Sequence, residues 1–225
     1  MFKNILKFVA ALGIVTSLST SSFADGADSH AGIYLGLSGS AYGLEMDGKE
    51  TTANDDNNNT ATGTAGKFAL IGGGEIGYSM TAGENWLFDF GYSIIPGEAK
   101  LETNASDTSD SDASMTVDSY STLSISPTYA VSDSAALYFK LGYTEADVAV
   151  TGDINNPGNL EGTTLAIGSR TQMSSGIYVR TEAGYTEFDS LTSKGKGNTG
   201  GVATTTTYAA DPTAAYGRVT IGMKF

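Results

Sequence analysis

The 225-residue sequence predicts an all-β fold, an eight-stranded antiparallel up-and-down transmembrane β-barrel with both termini periplasmic. Three observations predict it. The last twelve residues alternate between an apolar and a polar face. Seven further segments alternate the same way. The connections between the eight run long, short, long, short, long, short, long, which is the loop pattern of a barrel meander with tight turns at one end and long loops at the other.

The closing segment is Ala214 to Phe225. Ala215, Gly217, Val219, Ile221, Met223 and Phe225 share one face, and Tyr216, Arg218, Thr220, Gly222 and Lys224 share the other. Period two is the mark of a strand. A wholly apolar face opposite two cations fits lipid outside and a polar lumen inside.

The remaining segments follow in order. Ile33 to Tyr42 sets Ile33, Leu35 and Leu37 against Tyr34, Ser38, Ser40 and Tyr42. Phe68 to Met80 puts Phe68, Leu70, Ile76, Tyr78 and Met80 outward and Ile71, Glu75 and Ser79 inward. The third segment, Trp86 to Ile94, alternates Trp86, Phe88, Phe90, Tyr92 and Ile94 with Leu87, Asp89, Gly91 and Ser93. Val117 to Tyr129 is read with Leu123, Ile125, Pro127 and Tyr129 outward and Asp118, Tyr120, Thr122 and Ser124 inward. Pro127 has no N–H for a ladder, so it belongs at a strand end or an irregularity. The fifth segment sets Leu137, Phe139, Leu141 and Tyr143 against Tyr138, Lys140, Gly142 and Thr144. Thr163 to Thr171 and Ile177 to Tyr185 repeat the pattern, with Arg170, Arg180 and Glu182 inward. The polar stretches Glu45–Thr64, Glu98–Thr116, Glu145–Asn159 and Ser190–Pro212 are read as long loops, and 81–84, 131–134 and 173–176 as tight turns. Outward aromatics sort by depth, with Tyr78, Trp86, Phe88, Tyr129, Phe139 and Phe225 near the short turns and Tyr92, Tyr143 and Tyr185 nearer the loops. Girdles at two interfaces are placed in this way.

The N-terminus reads as export. Lys3 and Lys7 precede the apolar run Phe8 to Leu18, and Ser22-Phe23-Ala24 offers a small-residue cleavage site. Residues 1–24 are therefore expected to be a cleaved signal peptide, and 25–225 the barrel domain. The formal net charge is −13, and no Cys is present. The acidic balance excludes a nucleic-acid footprint, and the missing thiols exclude a disulfide framework.

The candidate site is the inward set Glu75, Asp89, Lys140, Arg170, Arg180, Glu182, Arg218 and Lys224. Counted up from the short turns, several lie at similar height. An eight-stranded interior is filled by side chains, so opposite charges there are expected to pair as a structural salt-bridge plug; a gated ion path is the alternative. No catalytic, cofactor-binding or metal residue is assigned. The only histidine, His30, lies outside every segment, away from the outer rim where barrel hydrolases need one. Asp55-Asp56 and Asp110-Ser111-Asp112 lack the fixed spacing of a calcium loop.

The strand count, the loop alternation, the Trp86-to-Tyr92 strand and the Arg218-to-Phe225 strand resemble the small eight-stranded outer-membrane barrels of the OmpA, OmpX and opacity-protein type, within the porin superfamily. The resemblance implies a cell outer-membrane location. It implies contact with outer-membrane lipid and lipopolysaccharide, and delivery by the barrel-assembly machinery with Phe225 as the signal. It further implies a non-enzymatic structural or surface-interaction protein whose long acidic loops meet a host or surface ligand, with a narrow porin-like channel as the alternative.

Overall fold

Alternating apolar and polar residues make a strand with two unlike faces, and a row of such strands closes when its first and last members pair. The computed structural model describes residues 26–53, 58–97, 99–102, 114–151, 155–173, 176–199 and 202–225. It contains a short helix, α1 (Gly26–His30), and ten strands: β1 (Gly32–Ala53), β2 (Asn58–Thr81), β3 (Trp86–Ile95), β4 (Ala99–Glu102), β5 (Ser114–Ser132), β6 (Ala135–Thr151), β7 (Leu160–Gln172), β8 (Ile177–Phe188), β9 (Leu191–Thr199) and β10 (Val202–Lys224). Eight form the ring β1-β2-β3-β5-β6-β7-β8-β10, closed by β10 against β1 from Tyr34–Lys224 to Ala53–Thr205. All pairings are antiparallel, and β4 and β9 are extra strands on β5 and β10.

The wall is inside-out relative to a soluble protein. Leu37 is 78% exposed and Leu70 79%, and large apolar side chains cover the outside of every ring strand. Soluble monomers rarely expose contiguous apolar patches beyond a few hundred Å². The outward aromatics expected near the short turns are exposed, and Trp86 meets Tyr129 edge-on at 5.1 Å.

Two expectations are corrected. Among the described residues, Glu45–Thr64 and Ser190–Pro212, expected as long loops, are largely paired strand. β1 and β2 stay in register from Gly43–Phe68 to Ala53–Asn58, and β9 with β10 from Leu191–Ala210 to Thr199–Val202. These extensions are mostly polar or small, with only isolated apolar residues such as Met46 and Leu191, so the period-two signal vanishes while the ladder persists. The outer edge of β9 is protected by its composition, with two Lys and two Gly in nine residues. Second, Asp118 is not inward. The β5–β6 register shifts between Asp118 and Ser121, and Ser119 has φ 51°. One extra residue flips the phase, so Val117 is buried and Asp118 lies opposite Asp147 on the outer face. Pro127 falls at a gap in that ladder, between the paired positions Ile125–Leu141 and Thr128–Tyr138, as suits a residue without an N–H.

Helix α1 closes the short-turn end. Ala27 N–H donates to the Glu84 carbonyl (3.1 Å), Ser29 Oγ to that of Asp133 (2.8 Å) and Lys224 Nζ to that of Ser29 (2.6 Å). Its Ala27 packs on Leu87 and Ala130 beneath it. Residues 1–24, with the expected signal peptide, lie outside the described residues, as do Asp55, Asp56, Asp107, Asp110 and Asp112.

Candidate functional site

The site begins with small residues. Four inward tyrosines each stand directly opposite a glycine on the next strand: Tyr34 and Gly77, Tyr138 and Gly168, Tyr178 and Gly222, Tyr216 and Gly184. A Cβ on any of these glycines would run into the tyrosine ring. Each ring therefore lies flat across its neighbour strand, and four together narrow the lumen enough to wall in charged groups. The Tyr–Gly pairing is a signal that alternation alone does not show, because it needs the register.

Between the rings, seven of the eight expected site residues come together, each at most 6% exposed. Arg180 Nη1 lies 3.3 Å from Glu75 Oε1, and its Nη2 3.2 Å from Asp89 Oδ2. Its guanidinium sits 4.7 Å from the Tyr34 ring centroid and 5.0 Å from that of Tyr138. Arg170 Nη1 reaches Asp89 Oδ2 at 3.5 Å and donates to Ser79 Oγ at 3.0 Å. Tyr178 Oη donates to Glu75 (2.9 Å), and Thr128 Oγ1 to Asp89 (3.2 Å). Beside this group, Lys140 pairs with Glu182, which also accepts from Tyr138 (2.9 Å) and Tyr216 (2.7 Å). Arg218 lies 3.9 Å from Glu182 and donates to Ser40 Oγ and Tyr42 Oη, both at 3.2 Å. Four cations thus meet three carboxylates, and phenols and hydroxyls add further hydrogen bonds, while Asp89 Oδ1, Arg170 Nε and Nη2, and Arg180 Nε are buried without a hydrogen-bond partner among the described residues. Such a layer is stable only as a set, because one lost partner leaves a buried charge alone.

The eighth residue, Lys224, stands apart at the short-turn rim, where it holds α1 through Ser29. His30 stands there as well. It is fully buried, and its Nε2 lies 2.9 Å from the Ser132 carbonyl. Burial and the nearby Arg170 guanidinium lower its pKa to about 4, so it is neutral at physiological pH.

Above the charges the lumen changes character. Thr122, Thr144, Thr164 and Thr186 form a row across β5 to β8, joined by hydroxyl contacts of 2.9, 2.6 and 2.7 Å. Over this row the interior is apolar. Tyr42 stacks on Tyr216 (4.9 Å, 15°) and meets Tyr120 edge-on (5.3 Å). Above and around them pack Ile95, Val117, Val148, Leu160, Phe188 and Leu191. Part of this layer, Met46, Ala146, Val148 and Leu191, comes from stretches whose sequence reads as loop.

The comparisons with known proteins bear on this geometry. The profile of the outer membrane protein beta-barrel domain family matches residues 9–210. No curated protein sequence matches the chain. Among solved structures, the outer membrane protein OprG from Pseudomonas aeruginosa is 12% identical, with 87% of this chain and 96% of that chain covered and a TM-score of 0.53. Ail, the attachment invasion locus protein of Yersinia pestis, solved with the heparin analogue sucrose octasulfate, is 11% identical, with coverage of 84% and 99% and a TM-score of 0.44. The outer membrane protease OmpT from Escherichia coli is 8% identical, with coverage of 93% and 100% and a TM-score of 0.47. At these identities the OprG likeness speaks for the fold alone. Charges paired indoors, large apolar side chains outdoors, and a family profile covering most of the sequence lead to one conclusion: this is a barrel of the outer membrane, and the chain belongs to the outer membrane protein beta-barrel domain family.

Proposed function

We propose that the protein is a non-enzymatic, plugged barrel that anchors a surface-exposed, acidic and hairpin-rich end in the outer membrane. The observation that carries this reading is the closed charge layer, in which Glu75, Asp89, Lys140, Arg170, Arg180, Glu182 and Arg218 are all buried. A column of water has no room beside four tyrosine rings and seven charged side chains in an eight-stranded lumen. In this reading the termini and α1 face the periplasm, residues 1–24 are removed in export, and Phe225 is the signal for barrel assembly. The long-connection end faces outward. There Asp47, Glu145, Glu161, Glu187, Asp189 and Asp211 are exposed. These carboxylates favour a cationic or divalent-bridged surface ligand, host or bacterial, and disfavour direct contact with lipopolysaccharide phosphates.

Planar-bilayer recording tests the reading. Wild type is expected to show little or only flickering conductance, and Arg180→Ala to be leakier because Glu75 and Asp89 lose their shared partner. Stable, large wild-type channels with a monomeric footprint would sink the plug and put a narrow porin-like channel in its place.

A further inference from the structure

We propose that α1 is a hinged lid over the short-turn mouth of the barrel, latched by the neutral ring of His30 and released when that ring takes a proton. Three features carry this. The first is the hinge. α1 is joined to β1 through Ala31 and Gly32, and Gly32 has φ 120°. Glycine reaches that backbone region at little cost, and other residues do not. A Cβ at Gly32 would also run into the carboxyl oxygen of Phe225. Gly32 is the first paired residue of β1, opposite Ser79. Rotation there swings the helix off the mouth and leaves the ladders of the ring intact.

The second feature is the latch. Ala27, the one apolar side chain of the helix, rests on Leu87 and Ala130. The other holds are single hydrogen bonds to the Glu84 and Asp133 carbonyls and from Lys224. Little apolar area therefore keeps the helix down, and His30 is its one large buried side chain. The Ser132 carbonyl beside Nε2 can only accept, so Nε2 carries the proton and Nδ1 the lone pair. Nδ1 is buried without a hydrogen-bond partner among the described residues. A second proton would enter there, where no acceptor meets it.

The third is the charge around the ring. Arg170 on β7 and Lys224 on β10 oppose a cation at His30, and Asp89 on β3 favours one. Asp89 is already shared among Arg180, Arg170 and Thr128. Asp28 on the helix, and Glu84 and Asp133 in the turns it touches, are exposed, where water screens them. The terminal carboxyl group of Phe225 lies against Gly32. Protonated His30 is thus a buried cation beside two others, with no carboxylate of its own, and it leaves the mouth for water. Its departure uncovers the lower side of the charge layer, since Arg170 donates to Ser79, the residue opposite the hinge.

The free ring protonates near its ordinary pKa of 6.5 and the docked ring near 4, so the docked helix is favoured above pH 6.5 and loses ground as the pH falls. The ratio of released to docked molecules should rise about 20-fold between pH 7 and pH 5. Thiol labelling measures this, because the chain has no native cysteine. The full chain in nanodiscs carries either Leu87→Cys, beneath the helix, or Asp28→Cys, exposed on it, and each reacts with a water-soluble maleimide. The ratio of the two rates cancels the acid dependence of the thiol and reports release. In the orientation proposed above the proton comes from the periplasm, but both faces of a nanodisc meet one buffer, so the result stands whichever way the barrel faces. The ratio should rise about 20-fold from pH 7 to pH 5 and stay within about twofold in His30→Gln, which takes no proton. Should His30→Gln leave the mouth open at every pH, the wild-type ring decides, because His30 is the single histidine and its imidazole NMR signals follow protonation directly. Protonation of the ring with no rise in labelling at position 87 would overturn the proposal. So would a ratio flat in pH, or a rise that His30→Gln repeats.

Discussion

The two halves of the barrel interior solve the same filling problem by different chemistry. Below the threonine row, space is filled by Arg180, Glu182 and their partners, held between tyrosine rings at fixed distances. Above it, space is filled by Leu160, Phe188, Val117 and their neighbours, held by shape. The lower half is specified by pairs, so it tolerates no missing member. The upper half is specified by volume, so it tolerates exchange among groups of similar size.

The largest expected effect tests the lower half. Glu182→Gln removes the one carboxylate that Lys140 and Arg218 share, and should cost about 3–5 kcal/mol in urea unfolding from lipid vesicles. A loss below about 1 kcal/mol would mean that the layer is held by packing, as the upper half is. Acidification comes next. In the unfolded chain His30 takes a proton near its ordinary pKa of 6.5, but buried at the end of α1 it resists down to about 4. The unfolded or undocked state therefore binds more protons in that window. Stability is full above about pH 6.5, falls as the pH drops toward 4, and loses about 3 kcal/mol in all. Protection factors of the amides of residues 26–30, corrected for the intrinsic slowing of exchange in acid, should fall over this range, and His30→Gln should flatten the dependence. Protection factors that do not change with pH would remove His30 from the cap.

A smaller effect is expected from Gly77→Ala. The added methyl meets the Tyr34 ring, which in turn covers Arg180, so the cost should be about 1–3 kcal/mol with heat-modifiable gel migration retained. The smallest comes from the upper half, where Leu160→Met preserves volume and should cost under about 1.5 kcal/mol. If Leu160→Met proved as damaging as Glu182→Gln, the contrast between the halves would be false.

The lower half was legible in the sequence, and the upper half was not. Glu75, Asp89, Lys140 and Arg180 each interrupt an otherwise apolar or small strand, and period two alone puts them inside. Their partners followed from charge balance, although Lys224 went to α1 instead. Leu44, Met46, Val148, Leu160 and Leu191 sit in stretches rich in Asp, Asn, Thr and Gly, where one apolar residue in several carries no period. Their burial follows from ladders that continue past the last apolar outward residue. Asp118 was misplaced because a bulge is invisible to a phase count. Helix α1 was missed because five residues, GADSH, are too few for a helical pattern.

The β1–β2 ladder runs ten residues past the apolar belt, from Gly43 to Ala53, in unbroken register. At about 3.3 Å per residue and a barrel-like tilt near 40°, that is a mast of about 25 Å. Its height is set by hydrogen-bonded pairs, so what it carries is presented at a fixed stand-off from the lipid. A partner docking along the mast meets strands already ordered, and the binding energy is not spent on ordering them. Shortening the hairpin by matched pairs would lower the platform in steps of known size, which makes the barrel a ruler for the stand-off of the surface ligand proposed above.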